Sequence, residues 1–187
     1  MKLFQNLTIA ALSLLLVSIS TTVSASPQFD LLKAVDNQDM GELTSLLAKG
    51  VSPDTRRRSN GEPAILIAAR LGSLKVMKLL LENGANANYA DRLRGETALM
   101  NRAVVGDTNM MKLLLAHGGD PNRADIGQET PLMKAVRGRK FKAAKILLEA
   151  GADPNVQDLT GKTALEYAKL SRSRRFVKLL QDAGATY

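Results

Sequence analysis

A short glycine-centred motif returns along the chain at a nearly constant spacing, and this periodicity restricts the possible folds more than any other feature. Successive motif glycines are 34, 34, 33 and 33 residues apart. Periods of this length are typical of solenoids, in which each repeat buries its apolar face only by stacking against its neighbours. The motif glycines are Gly50, Gly84, Gly118, Gly151 and Gly184.

A second motif keeps the same phase and predicts a pair of helices in each repeat. It occupies residues 62–65, 96–99, 129–132 and 162–165, and its Pro63 or Thr always precedes the next motif glycine by 21 residues. The Thr side chain predicts the N-cap of a short helix. Apolar residues at helical spacing then predict a second, longer helix. We expect each motif glycine to end that second helix in a left-handed conformation.

These residues resemble the ankyrin repeat. The stretch Leu147-Leu148-Glu149-Ala150-Gly151-Ala152-Asp153-Pro154-Asn155 is nearly the complete second half of that family's pattern. In the first half, Leu66, Met100, Met133 and Glu166 replace the usual His. The resemblance covers Phe29 to Tyr187 and implies an all-α ankyrin-repeat solenoid of stacked helix-turn-helix units with protruding hairpin loops. We divide it into five units, 29–54, 55–88, 89–122, 123–155 and 156–187, the first and last acting as caps.

The first 25 residues have the order of a secretory signal peptide. Lys2 is followed by a mostly apolar run over residues 7–19 and by the small side chains of residues 23–25. The run is too short to span a bilayer of about 30 Å. We expect cleavage after Ala25, no stable membrane insertion afterwards, and a periplasmic or secreted chain with 25 Lys and Arg against 18 Asp and Glu.

Residues for catalysis or metal binding are scarce, so we expect no enzyme and no cofactor. The chain has no Cys, and its single His, His117, immediately precedes a motif glycine. We expect that His to interact with the end of its helix rather than with a metal. The glycines occur at helix ends and turns, and none forms a phosphate-binding loop after a strand.

The resemblance implies that partners bind a concave face made of loop tips and inner helices. Arginine is concentrated at the positions that map there, whereas the outer helices use mostly lysine. Arginine suits bidentate pairing with carboxylates and is enriched at binding hot spots, although charges at loop tips also serve simply for solvation. The candidate partner-binding residues are Arg56, Arg57, Arg58, Arg70, Arg92, Arg94, Arg102 and Arg137.

Arg102 stands out because the same position in the other units holds Ala34, Ala68, Ala135 and Ala168. One interpretation is a partner-facing anchor in the middle of the groove, where its charge is not buried without a partner. The alternative is a long stem that covers the neighbouring inner helix with its charged end in water. A second cationic run, residues 172–175, is either another anion-binding spot or the solubilising surface of the cap.

These features favour a protein-binding module that acts as a monomer and holds an acidic partner protein. Exported bacterial ankyrin proteins include immunity proteins and companions of periplasmic enzymes, and both remain open here. The alternatives are a secreted effector that acts on host proteins and a binder of a non-protein polyanion of the cell envelope. Nucleic acid is not expected, because aromatic side chains for base stacking are scarce.

Overall fold

The computed structural model describes residues 26–186. The signal peptide predicted at residues 1–25 lies outside the described residues. Within them the chain forms ten helices and no β-strand, which confirms the predicted all-α solenoid. The helices are α1 (Pro27–Asn37), α2 (Met40–Ala48), α3 (Ala64–Leu71), α4 (Leu74–Glu82), α5 (Ala98–Val105), α6 (Thr108–Ala116), α7 (Pro131–Arg137), α8 (Phe141–Glu149), α9 (Ala164–Leu170) and α10 (Arg174–Asp182).

The helices form five antiparallel pairs, α1–α2 to α9–α10, which we number units 1 to 5. The odd-numbered helices contact one another in sequence and form an inner layer, while α2, α4, α6 and α8 form an outer layer in the same order. The second helix is the longer one in units 2 to 5, as predicted, but in unit 1 the first helix is longer (11 residues against 9). All ten helices and their shared core lie within residues 26–186, so a chain of these residues retains every packing contact described here.

Side-chain caps define where the inner helices begin. The hydroxyl groups of Thr97, Thr130 and Thr163 accept hydrogen bonds from backbone N–H groups three residues later, as predicted. In unit 5 the residue at that third position, Glu166, accepts a bond from the Thr163 N–H in return, which completes a capping box. Each such cap stabilises its helix by about 1 kcal/mol.

Small side chains set the spacing of the inner layer. Ala68, Ala103 and Ala135 are fully buried, so their helices can approach closely. Larger residues such as Leu80, Met110 and Leu114 fill the space between the inner and outer layers and are also fully buried. The core therefore runs continuously through the stack, and no unit could bury its apolar face alone.

The loops between units project as hairpins that lie side by side. Antiparallel bridges join Arg56 to Pro63 and Ala90 to Thr97 at the bases of the first two hairpins. At the tips, the N–H of Ile126 donates to the carbonyl of Arg94 (2.9 Å), and the N–H of Leu159 donates to the carbonyl of Gly127 (3.0 Å). Successive tips are thus held in one row, which is the arrangement that a shared binding face requires.

Asparagine side chains at the end of the second, third and fourth glycine motifs also connect neighbouring units. Asn88 donates from Nδ2 to the carbonyl of Gly118 (2.8 Å) and accepts through Oδ1 from the N–H of Asp120 (2.7 Å). Asn122 and Asn155 make the same pair of bonds to the following unit. The motif glycines have φ between 80° and 89°, as predicted, which presents their carbonyls to this ladder.

Candidate functional site

The hairpins and the inner helices enclose a groove, which we call the inner groove. It begins at a cleft of about 750 Å³ between α1 and the first hairpin, lined in part by Phe29, Leu32 and Arg58. Two further clefts of about 420 and 400 Å³ continue it across units 2 and 3. The first cleft is lined by α1 and the first hairpin, and the second by the same hairpin together with α1 and α3. The third is lined by the first two hairpins together with α3 and α5, so a bound partner would contact several units at once.

Glu62 organises the charges at the N-terminal end of the inner groove. Its side chain is 6% exposed and lies 2.5 Å from Arg70 Nη1 and 3.3 Å from Arg57 Nε. Arg57 also pairs with Asp36 of α1. These contacts join unit 1 to unit 2 and leave Arg57 and Arg70 with their charge compensated inside the chain. Both predicted binding residues thus lie on the groove but already have carboxylate partners.

Unit 4 repeats this arrangement. Glu129 accepts from both Lys134 and Arg137, and Lys134 Nζ is also 2.7 Å from Asp125. The Arg137 guanidinium lies 5.3 Å from the centre of the Tyr167 ring in the next unit. Arg137 is therefore exposed on the groove, like Arg70, and paired with the acidic residue of its own hairpin. The recurrence of these two arginines that suggested binding also reflects a recurring internal ion pair.

Arg56 serves mainly to join two hairpins. Its Nη1 donates to the carbonyl of Ala90 (2.9 Å), and its guanidinium lies 4.1 Å from the centre of the Tyr89 ring. This cation–π contact and the hydrogen bond hold the first hairpin to the second. Arg56 is half-buried, so only part of it is available to a partner.

Arg102 lies inside the stack, which agrees with neither interpretation of its sequence position. Arg102 is only 7% exposed to solvent. Its Nε and Nη2 donate to the side chain of the adjacent Asn101, and Nη1 is 4.0 Å from Asp107. Burial lowers the pKa of the guanidinium, while the charges of Asp107 and Glu96 partly offset that effect. Because its charged end reaches neither the groove nor bulk water, we remove Arg102 from the candidate partner-binding surface.

Three of the predicted arginines remain exposed and have no carboxylate within 4 Å among residues 26–186. They are Arg58 at the tip of the first hairpin, and Arg92 and Arg94 at the tip of the second. The stem of Arg92 crosses Gly61 so closely that a Cβ there would lie 2.5 Å from it. This contact places Arg92 of the second hairpin against the first hairpin. We call the three exposed arginines of these two neighbouring tips, Arg58, Arg92 and Arg94, the tip cluster.

Exposed apolar side chains continue this row of tips, and the sequence reasoning did not select them. Leu93, Ile126 and Leu159 are 68%, 66% and 73% exposed. Each occupies the tip of a different hairpin, one or two residues after Asp91, Asp125 or Asp158. We call these three side chains the apolar rail. Their common position after an Asp was visible in the sequence and would have indicated a row of exposed apolar residues beside the groove. Exposed apolar side chains in a row are typical of interaction surfaces.

Asp158 shows how the last hairpin is held in place. Burial alone would raise the pKa of this carboxyl, but hydrogen bonds from the hydroxyls of Tyr167 and Thr160 and from the N–H groups of Lys162 and Thr160 outweigh burial and lower it. The bond to Asp158, together with burial, raises the pKa of Tyr167. Leu159 therefore projects from a loop whose base is fixed to α9.

His117 is the C-cap residue of α6, where the sequence placed it. Its Nδ1 lies 2.9 Å from the carbonyl oxygen of Leu113, within hydrogen-bond distance of a helix end. None of the helices in the part of the chain that the structure describes has the length and apolar character needed to cross a bilayer.

A stack of helix pairs with aligned hairpins and a groove shared by several units defines a solenoid that binds other proteins. The chain belongs to the ankyrin-repeat family: the family model described as "Ankyrin repeats (3 copies)" matches residues 31–125, 86–158 and 106–187. Members are typically binding modules without enzymatic activity. No curated protein sequence matches the chain significantly.

Proposed function

We propose that this chain is an exported module that binds an acidic partner protein in the inner groove. The tip cluster carries this proposal, because Arg58, Arg92 and Arg94 are exposed cations whose charge no described carboxylate compensates. The paired arginines of the groove, Arg57 and Arg70, are occupied by Asp36 and Glu62. Acidic groups of a partner are thus attracted first to the tips.

The apolar rail supports a protein rather than a small molecule as the partner. Leu93, Ile126 and Leu159 lie on three successive tips, and a partner that covers them buries apolar area from units far apart in the chain. A contact of this kind combines apolar burial with a charged rim, as protein interfaces do. The partner's acidic residues speed association and orient it, and the rail slows its release.

The biological role that we favour is that of an immunity protein or inhibitor, or of a companion to a periplasmic enzyme. In either role, one monomer of the chain would present its groove to one folded partner. The export step rests on the order of charged, apolar and small residues over positions 1–25. N-terminal sequencing of the chain from envelope fractions tests it, and a mature protein that does not begin at Ser26 contradicts the assigned cleavage site.

A charge-matched pair of variants tests the groove. In the first, Arg58, Arg92 and Arg94 are changed to Gln. In the control, the exposed outer-surface residues Lys49, Lys75 and Lys112 are changed to Gln, so the net charge is the same. Partners captured from an envelope extract of the source organism are then quantified for the parent and both variants at low and high salt.

We expect the parent and the control to retain the same partner and the tip variant to hold it about tenfold or more weakly, because one arginine hot spot is worth about 2 kcal/mol. Capture should also weaken as salt is raised. A partner held equally by all three proteins would contradict the tip cluster as the binding element. A partner recovered only from host-cell extract would instead favour a secreted effector.

A further inference from the structure

The positive charge of the chain is concentrated at its C-terminal end, away from the tip cluster. Residues 26–122 contain twelve Lys and Arg against eleven Asp and Glu, whereas residues 123–187 contain thirteen against seven. Within the second part, segments 137–145 and 169–178 contribute five cations each and no carboxylate. The hairpin charges do not explain this excess.

The fold brings the two segments together, because they occupy the same place in adjacent units. Each runs from the end of an inner helix through the turn into the outer helix. The Arg139 guanidinium reaches towards the carbonyl of Ser171 (3.5 Å). Arg175 lies 3.6 Å from the centre of the Phe141 ring, which in turn packs edge-on against Phe176. The turns of units 4 and 5 therefore form one continuous surface.

Most cations of this surface have no carboxylate partner among the described residues. Arg137, Lys145 and Lys178 have carboxylates within 4 Å, but the others have none among residues 26–186. All of those others are exposed except Lys140, which is partly buried. We call this set the C-terminal basic edge: Arg139, Lys140, Lys142, Lys169, Arg172, Arg174 and Arg175.

Two of these arginines occupy a backbone position that disfavours any side chain. One repeat position in the turn after the inner helix has a positive φ in every unit, and units 2 and 3 use Gly72 and Gly106 there. Units 4 and 5 instead place Arg139 (φ 56°) and Arg172 (φ 52°) at that position. A left-handed conformation is unfavourable for residues with a Cβ. Both arginines therefore adopt a backbone conformation that costs conformational free energy, at the two places where they reach the edge.

We propose that the C-terminal basic edge docks the protein on the surface of an anionic phospholipid bilayer. Arginine forks match phosphate groups, and the irregular spacing of the cations suits a fluid array of head groups better than a fixed pattern of carboxylates. The surface includes an open cleft of about 380 Å³, lined by four cations, Val177 and Gln181. Leu170, 67% exposed beside Arg172, can enter the interfacial region.

Nucleic acid fits this edge less well, because the aromatic side chains of the edge are not free for base stacking. Phe141 is covered by Arg175 and Phe176. The edge also lies at the ends of the inner helices opposite to the hairpins, so it shares no residue with the tip cluster. Bilayer docking and partner binding are therefore independent properties that separate variants can remove.

Sedimentation with vesicles tests the proposal, using residues 26–187. The vesicles contain either phosphatidylcholine alone or a mixture with phosphatidylglycerol, whose anionic head groups give the surface a negative potential. The edge variant changes Arg139 and Arg172 to Gly. The control variant changes Lys75 and Lys112 to Gln, which removes the same charge from the outer helices of units 2 and 3.

We expect binding only to the anionic vesicles, a decrease with added salt, and a partition coefficient about 30-fold lower for the edge variant, since each surface cation is worth about 1 kcal/mol. The control should change by roughly threefold or less. The edge variant should be at least as resistant to urea as the parent, because glycine relieves two left-handed side chains. Such a result would show that the edge variant is folded, so that its weaker binding reflects the lost cations.

A second edge variant, Lys142→Gln with Arg174→Gln, leaves the strained positions untouched and should also weaken vesicle binding. Equal binding of the parent, control and both edge variants would overturn the proposal. Equal binding to neutral vesicles would overturn it as well. A DNA duplex that binds as tightly as the anionic vesicles, with the same dependence on the edge residues, would overturn the choice of a bilayer.

Discussion

Arginines that look equivalent in the sequence have three different surroundings in the folded chain. Arg70 and Arg137 are exposed but paired with the acidic residue of their own hairpin. Arg92 and Arg94 are exposed and lack a described carboxylate partner. Arg102 is buried. The value of an arginine to a partner depends on which of these conditions holds, because a compensated or buried charge adds little attraction.

Arg102 leads to a prediction about stability. Its guanidinium is buried but has only an amide neighbour and a carboxylate 4.0 Å away. Replacing a poorly compensated buried charge by an apolar side chain of similar volume is often neutral or favourable. We expect Arg102→Met to change the free energy of unfolding in urea by less than about 1 kcal/mol, or to raise it. Partner binding should not change.

The matched control is Arg102→Ala, which also removes the stem that fills the space between units. That variant should be less stable than Arg102→Met by about 2 kcal/mol, as expected for a cavity. A loss of more than about 3 kcal/mol in Arg102→Met would show instead that the buried charge holds the central units together.

At the scale of the structural element, the ladder of asparagines is incomplete at its first position. Asn88, Asn122 and Asn155 each donate to one glycine carbonyl and accept from one N–H of the following unit. Asp54 occupies the corresponding place between units 1 and 2, where its Oδ1 accepts from the N–H of Asn86 (2.8 Å). A carboxylate has no proton to donate to the Gly84 carbonyl.

We therefore expect Asp54→Asn to stabilise the chain. The new Nδ2 group would supply the missing donor to Gly84, and a net hydrogen bond contributes about 0.5–1.5 kcal/mol. Urea unfolding followed by circular dichroism measures the change. The reciprocal substitution, Asn122→Asp, removes the donor to Gly151 and should destabilise the chain. If both substitutions shifted stability in the same direction, the ladder would not be the cause.

At the scale of the whole molecule, the continuous core makes stability a collective property. Leu114 is fully buried in α6, in the central unit, and Leu43 is fully buried in α2, in the first unit. A central unit has two neighbours, whereas an end unit has one, so the same loss of packing has different consequences in the two places.

We expect Leu114→Ala to lower the free energy of unfolding by about 2–5 kcal/mol within a single transition. Leu43→Ala should instead let unit 1 unfold first, so that circular dichroism changes before tyrosine fluorescence, because Tyr89 and Tyr167 lie outside that unit. The opposite result would contradict this view of coupling: circular dichroism and tyrosine fluorescence changing together in Leu43→Ala but separately in Leu114→Ala.

Sequence reasoning recovered the helix pairs, the Thr caps and the left-handed glycines, since each depends on neighbours within a few residues. It also selected Arg58, Arg92 and Arg94, which the structure exposes at the hairpin tips, and their role in binding stays a prediction. It did not find the ion pair between Arg57 and Asp36, which joins residues 21 positions apart and requires two units to be packed. Nor did it foresee that Arg139 and Arg172 would adopt the left-handed conformation that Gly72 and Gly106 adopt in units 2 and 3.

The sequence alone determined the architecture, because a repeat of 33 or 34 residues with two phased motifs allows each unit to bury its apolar face only against its neighbours. Only the tertiary structure decided which charges are free. Packing set Glu62 against Arg57 and Arg70, buried Arg102, and left the tip cluster and the C-terminal basic edge exposed. Charge compensation depends on distances between residues of different units, and those distances exist only after the units have stacked.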